Sequence, residues 1–327
     1  MSLRALRELH RVMAAVAPGG APRLVTGAPL EVNPRTDEPP RTRMCRVVEE
    51  DGLRAREIRG EPVVSFAAFL DGTQESHAVW DPAGIPIVFA RVGAVIRRRV
   101  ARRMTTWKPG PLVAHRLYAP RRWLSDEAVR ALEALGLALV DSLEGESTEG
   151  PLHPHELLRR AVHRVQSDRE ALERELAERW CASEHAPLFI DGGLPSGPLA
   201  SSSPWCVGVV KSHHTLYVDA RGLSAVLTLA TGHRSSVFIV ERSWGPGALS
   251  WYLRLRPPAT HDPLTGLVRV EIPLTDDARH GSGLTERADH VSRWILAERQ
   301  PVALPDGRWD RMVYGIRDCE EYLTAVM

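Results

Sequence analysis

Twice the chain writes an apolar run closed by aspartate and glycine: VVSFAAFL before Asp71-Gly72-Thr73, and LFI before Asp191-Gly192-Gly193. Such a run reads as a buried strand ending in a tight turn, which leaves the carboxylate at a sheet edge. The apolar residues 207–210 run directly into Lys211, one of two lysines in the chain, so a cation is expected near Asp191. Between the two Asp-Gly strands, residues 154–180 carry Leu158, Val162, Val165, Leu172, Leu176 and Trp180 at helical spacing. With each residue turning about 100°, Arg169 falls near the middle of that stripe and Glu173 at its border. Glu175 lies on the opposite border and Glu170 points to solvent. Glu173 is therefore the helical acid that looks toward the sheet, with Glu175 as the fallback.

Asp71, Glu173 and Asp191 together offer hard oxygen ligands suited to Mn²⁺ or Mg²⁺. Such ions, commonly paired about 4 Å apart, polarise a phosphodiester and activate a water. A lysine beside them stabilises charge developing on the phosphorus centre. The chemistry implied is phosphodiester hydrolysis. Taken singly, each residue also has a plainer role: turn cap, strand-end cation or surface helix former.

The elements that must position these groups follow from pattern. The segment LRALRELHRVMAAVAPGG at 3–20 reads as an amphipathic helix with Arg and Glu interleaved among the apolar positions, unlike a targeting peptide. No apolar run approaches the roughly 20 residues needed to span a bilayer, so a soluble cytoplasmic protein without membrane contact is expected. Residues 45–48 and 53–58 flank Asp51-Gly52, a hairpin signal. Strands are expected at 63–70, 77–80, 85–95, 207–210 and 236–240. The alternating stretches LSWYLRL and LVRVEI place Arg254, and Arg269 with Glu271, on one face each. Helices are expected at 125–139, 154–180, 223–229, 285–298 and 317–327. The fold class is α/β: one mixed sheet flanked by helices, with helical elements at both termini. The 327 residues and 43% hydrophobic content allow a single domain over 1–327. In it, 1–60 precede a core at 61–327 that has an insertion around 97–155.

A net charge of +1 gives no global basic field of the kind that announces nucleic acid. Cys45, Cys181, Cys206 and Cys319 are scattered without a CxxC pair, and indicate neither a zinc site nor a disulfide framework. Two local patches stand out. RRRVARR at 97–103, with Arg97 and Arg98, reads either as a phosphate contact or as a solvated face. Arg121 and Arg122, beside Tyr118 and Trp123, would suit a single strand.

In their order, these motifs resemble the NurA nuclease family, which has an RNase H-like core. They are FLDGTQ around Asp71, RxxxE formed by Arg169 and Glu173, LFIDGGL around Asp191, VGVVKS around Lys211, and YLRL and VRVEIP with Arg254 and Arg269. The resemblance implies an RNase H-like mixed sheet and an Mn²⁺- or Mg²⁺-dependent deoxyribonuclease acting on single strands and 5′ ends. It further implies a homodimer docked to a hexameric HerA-type ATPase, in DNA end resection, repair or anti-phage defence. Asp71, Glu173 and Asp191 would be metal ligands, Lys211 would stabilise charge, and Arg254 or Arg269 would position phosphate. Two departures stand against the pattern. Thr73 replaces a usual serine, and MVYGIRDCEEYL lacks the family's C-terminal histidine, leaving Asp318 or Glu320 as a substitute fourth ligand. The missing histidine favours an alternative, a catalytically silent RNase H-like subunit that binds a partner ATPase or nucleic acid. DNA and RNA substrates are not distinguished by the sequence.

Overall fold

The longest β-rich stretches of the chain pair with each other. In the computed structural model, which describes residues 2–16, 23–24, 39–81, 83–145, 150–219, 221–242, 247–259, 262–274, 283–299 and 314–327, they form an antiparallel pair in mid-sheet. The strands in chain order are β1 (Arg23–Leu24), β2 (Arg41–Met44), β3 (Arg46–Val47), β4 (Ala55–Glu57), β5 (Ala68–Trp80), β6 (Pro86–Val100), β7 (Arg103–Thr106) and β8 (Leu112–Ala119). They continue with β9 (Ala138–Asp141), β10 (Leu188–Asp191), β11 (Cys206–Val210), β12 (Thr215–Val218), β13 (His233–Ser235), β14 (Phe238–Val240), β15 (Ala248–Arg254) and β16 (Leu267–Pro273). The helices are α1 (Ser2–Val16), α2 (Asp126–Glu133), α3 (Pro154–Ser183), α4 (Gly222–Leu227), α5 (Leu284–Ala297) and α6 (Tyr314–Val326).

The main sheet runs β3-β14-β15-β16-β11-β10-β5-β6-β8-β9. It is mixed: β5, β6 and β8 form an antiparallel meander, β10 lies parallel to β5, and β11 lies parallel to β10. β16 then turns the sheet antiparallel again. Helices cover both faces, so the expected α/β class with a flanked mixed sheet is what the chain forms. The stripe read on α3 is buried where expected: Val162, Val165, Leu176 and Trp180 are essentially inaccessible. Leu176, Ala177 and Trp180 pack on Leu70, Leu188 and Ile190 on one face of the sheet. On the other face α5 and α6 pack against Phe69, Phe189, Val207 and Val209. α6 comes unusually close to β5, because a Cβ at Gly315 would overlap the ring of Phe69. No helix among the described residues is long and apolar enough to cross a membrane.

Several local expectations are corrected. β5 does not end at Asp71. It begins at Ala68 and runs unbroken to Trp80, so Asp71-Gly72 lies inside a strand and residues 63–67 are outside it. The Asp51-Gly52 segment is a turn, but its flanks do not pair with each other: β3 pairs with β14 and β4 with β13. Helix 125–139 is capped by Ser125, whose hydroxyl accepts from Ala128 N–H at 3.1 Å, yet it stops at Glu133, and Leu139 belongs to β9.

Arg254 is fully buried. It donates to the carbonyls of Leu227, Pro263 and Thr265, and so is a structural clamp with no route to phosphate. Arg234, also fully buried, holds Glu49 through two hydrogen bonds of 2.7 and 2.8 Å and Asp289 through one of 2.6 Å. Removing one partner of such a network strands the others in low dielectric. Arg234→Ala is therefore expected to cost about 3–5 kcal/mol, read as a large drop in the urea midpoint. A loss below about 1 kcal/mol would contradict this assignment.

Candidate active site

Register brings the two aspartates together. Parallel pairing of β10 with β5 sets Leu188 beside Ala68, Phe189 beside Phe69 and Ile190 beside Leu70. One step further places Asp191 next to Asp71, on strands about 4.8 Å apart. Because side chains alternate, both acids share the face that carries Phe69 and Phe189. β11 continues the logic: Val209 lies opposite Asp191, and Lys211 comes two residues later on the same face. Lys211 Nζ sits 2.7 Å from Asp191 Oδ2. The lysine and the second aspartate therefore meet as the sequence implied. β10 stops at Asp191 while β5 runs on, and a notch opens where the neighbouring strand is missing.

Glu173 enters that notch from α3 by way of Gly72. A Cβ at Gly72 would overlap Glu173 Oε1 and lie 2.9 Å from its Cγ and Cδ. The glycine is thus the space the glutamate occupies. The phase reading of α3 holds, because Arg169 and Glu173 form an ion pair one turn apart at the sheet. Glu175 does not reach the site: its side chain is 46% exposed and pairs with Arg179, so the fallback is excluded by position. Of the two C-terminal acids, Asp318 is bound to Arg97. Glu320 is the one whose charge acts on Asp71.

Asp71 is only 6% exposed. Burial pushes its carboxyl well above the usual carboxylate range, and the negative charges of Asp191, Glu173 and Glu320 push the same way, opposed by Lys211. Its Oδ1 accepts the N–H of Gly72 at 2.8 Å. Glu173 is pushed up to about 7, again by burial, with Arg169 opposing and Glu170 and Asp191 adding. The notch therefore concentrates carboxylates beyond what its two cations neutralise.

These shifts carry a sign. An acid whose pKa is raised on folding holds more protons folded than unfolded. Its favourable contribution is complete below the ordinary value of 4.5 and is lost as pH rises through about 7. For Glu173 this amounts to roughly 3 kcal/mol. Thermal melts in EDTA are expected to show stability falling between pH 5 and 8, with a flatter profile for Glu173→Gln. Identical pH slopes for the two proteins would refute the assignment.

The notch opens into a cleft of about 670 Å³. Its opposite wall contains a group the sequence reading passed over. Glu271, 3% exposed, accepts Leu194 N–H at 2.9 Å and Arg242 at 2.6 Å, and also pairs with Arg269. Burial alone would raise its pKa, but Arg269, Arg242 and these hydrogen bonds outweigh it and hold the carboxyl below its usual value. Gly193 leaves it room, since a Cβ there would stand 2.9 Å from Oε2. Glu271 is thus an anchor that aims two arginines into the cleft, and its signal was the Arg-x-Glu alternation of VRVEIP.

Arg269 lies in the cleft as expected, its guanidinium 5.1 Å from the Tyr217 ring. The other arginines proposed for nucleic acid do not line it. Arg97 is tied to Asp318 and Thr106 and lies over Tyr322. Arg98 pairs with Glu184 at 3.2 Å. Arg121 and Arg122 sit in the short turn after β8, near the outer edge of the sheet, where Arg121 pairs with Glu133.

Among the described residues, no three His, Cys, Asp or Glu side chains converge tightly enough to hold a metal ion as they stand. Asp191 pairs with Lys211 and Glu173 with Arg169. The donor set itself suits a hard cation, being all carboxylate with negative charge crowded on Asp71.

No protein-family model matches the chain, and no curated protein matches it. Among solved structures it is similar to the NurA nuclease from Sulfolobus solfataricus, at 11% sequence identity and a TM-score of 0.43, over 82% of this chain and 81% of that one.

Proposed function

We propose that the chain is a nuclease that hydrolyses phosphodiester bonds of DNA, with Mn²⁺ or Mg²⁺ held by Asp71, Asp191 and Glu173. The observation that carries this reading is the crowding of carboxylates on buried Asp71 at the head of an open cleft. The fold gains nothing from that repulsion, and strain of this kind persists where function requires it. When bound, a divalent cation supplies the positive charge that activates water and polarises the phosphodiester.

The chain's own groups do the rest. Glu173, with a pKa of about 7, ionises in the working range and would be available to hold the cation in place of its pairing with Arg169. Lys211, released from Asp191, is positioned to stabilise charge on the non-bridging oxygens. Arg269 and Arg242, aimed by Glu271, bind phosphate on the facing wall. Glu320 is the fourth acid of the set. The sequence resemblance extends this reading to single-strand and 5′-end processing by a homodimer working with a HerA-type hexameric ATPase.

The ion pairs Lys211–Asp191 and Arg169–Glu173 favour a second reading, a silent subunit whose acids are permanently neutralised. End-labelled DNA incubated with Mn²⁺, Mg²⁺ or EDTA separates the two. Metal-dependent cleavage that disappears in Asp191→Ala supports the nuclease. Absence of cleavage, alone and with a partner ATPase, supports the silent subunit.

A further inference from the structure

We propose that a second recess, running along α3 from the cleft toward the helix N-terminus, is the track for the backbone of a single-stranded nucleic acid entering the cleft. This rests on the nuclease reading above. The recess measures about 420 Å³ and shares Glu170, Tyr217 and Arg269 with the cleft, so the two form one continuous depression. Beyond the shared wall it is lined by Arg41, Arg159, His163, Gln166 and His214. Glu170 is the one acid of that lining. That turn of the helix carries two arginines, Arg159 and Arg160, and both bond Glu156. From Glu173 back to Arg159 the helix rises about 21 Å at about 1.5 Å per residue, enough for several consecutive phosphates.

The recess lies in the size range that encloses a ligand of small-molecule dimensions, which fits a nucleotide unit. Tyr217 already has two neighbours at its ring. One side of its ring is stacked near Phe238, at 6.2 Å between centroids and 23° between planes, and Arg269 lies 5.1 Å from the ring centroid. The track therefore holds phosphate by charge, without base preference, and its affinity depends steeply on salt.

Fluorescence anisotropy in EDTA, with labelled single-stranded DNA, single-stranded RNA and duplex DNA, tests this apart from cleavage. Arg41→Gln/Arg159→Gln is expected to bind single strands about tenfold more weakly and to lose about 1.4 from the salt slope, at about 0.7 per phosphate contact. Circular dichroism melts control for folding. Unchanged affinity and slope in a folded variant would overturn the track, as would tighter binding of duplex than of single strands. Intact binding by the wild type without cleavage under any metal would instead remove the nuclease reading and leave the track standing. The DNA and RNA arms identify which sugar it accepts.

A different observation carries a second inference. We infer that Cys181 and Cys206 form an oxidation-sensitive dithiol. They lie far apart in sequence, yet α3 packing on β11 brings their Sγ atoms to 3.2 Å. Cys181 is half-buried and Cys206 buried behind it. The other two thiols are poorer targets, since burial pushes Cys45 up to about 11 and raises Cys319 well above the usual thiol range. With hydrogen peroxide as oxidant, the Cys181 thiolate attacks one oxygen, the O–O bond breaks, and the hydroxide released leaves as water after protonation. Cys206 Sγ then attacks the sulfenic sulfur, the S–O bond breaks, and a second water leaves with the disulfide formed. The bridge would fasten the helix bearing Glu173 to the strand leading to Lys211.

Wild-type protein treated with hydrogen peroxide is expected to fall from four titratable thiols to two, with a 181–206 cross-linked peptide in the mass map. Cys206→Ser should instead give a sulfenic acid at position 181 that dimedone traps. Thiol loss that proceeds equally fast in Cys181→Ser, or that begins at Cys45, would overturn the inference.

Discussion

Asp71→Asn is expected to lose cleavage by at least about a thousandfold, the scale of removing an electrostatic group that acts in the transition state, while making the metal-free protein more stable. The two effects have one cause. Asp71 is buried beside Asp191, Glu173 and Glu320, which together hold its carboxyl toward the neutral form. The amide is neutral at every pH, nearly isosteric, and still accepts the Gly72 N–H that Asp71 accepts at 2.8 Å. Relief of the repulsion is expected to raise the melting temperature in EDTA near neutral pH.

Added Mn²⁺ or Mg²⁺ should raise the melting temperature of the wild type, because a ligand that binds only the folded state stabilises it. In Asp71→Asn the same titration should do little. A purely structural aspartate predicts the reverse, a destabilised variant with no metal-dependent difference. A variant that melts lower than wild type in EDTA, or that keeps cleaving, would remove Asp71 from the centre of the site.

The parts of this site that were legible in the sequence are those set by strand alternation and helical phase. Asp191 after LFI, Lys211 after VGVV and Glu173 one turn beyond Arg169 each depend on a local period, and each lies where that period puts it. Gly72 shows the limit of such reading. An Asp-Gly pair looks the same whether its glycine makes a turn, as at Gly192 with φ +114°, or clears space inside a strand for a helix side chain. Only the packing of α3 on β5 distinguishes them. The same holds for the arginines. Arg254 and Arg269 occupy similar alternating strands, yet one is closed over by the carbonyls of Leu227, Pro263 and Thr265 and the other faces the cleft. The Arg234 network and the Cys181–Cys206 contact likewise join residues distant in sequence, through contacts that no local pattern encodes.

The role assigned to Gly72 makes the sharpest demand on Glu173. Gly72→Ala changes no charge, and its backbone lies outside the left-handed region that favours glycine, so alanine brings only a methyl group. That methyl overlaps Glu173 Oε1 and stands 2.9 Å from Cγ and Cδ, so the end of the side chain must move. The glutamate is expected to swing out of the notch. Cleavage is expected to fall at least about a hundredfold, as for a catalytic group displaced by about 1 Å or more. Stability should change little, because withdrawing Glu173 also relieves its repulsion of Asp71. The pH dependence of stability near 7 should weaken as it does in Glu173→Gln.

Glu173→Asp, shorter by one methylene, should restore part of the activity in the Gly72→Ala background while impairing the wild type. Such a sign reversal arises from direct contact between the two positions. If Gly72→Ala cleaves normally, or if the two substitutions simply add, Glu173 is a surface partner of Arg169 and the third ligand must come from Glu320.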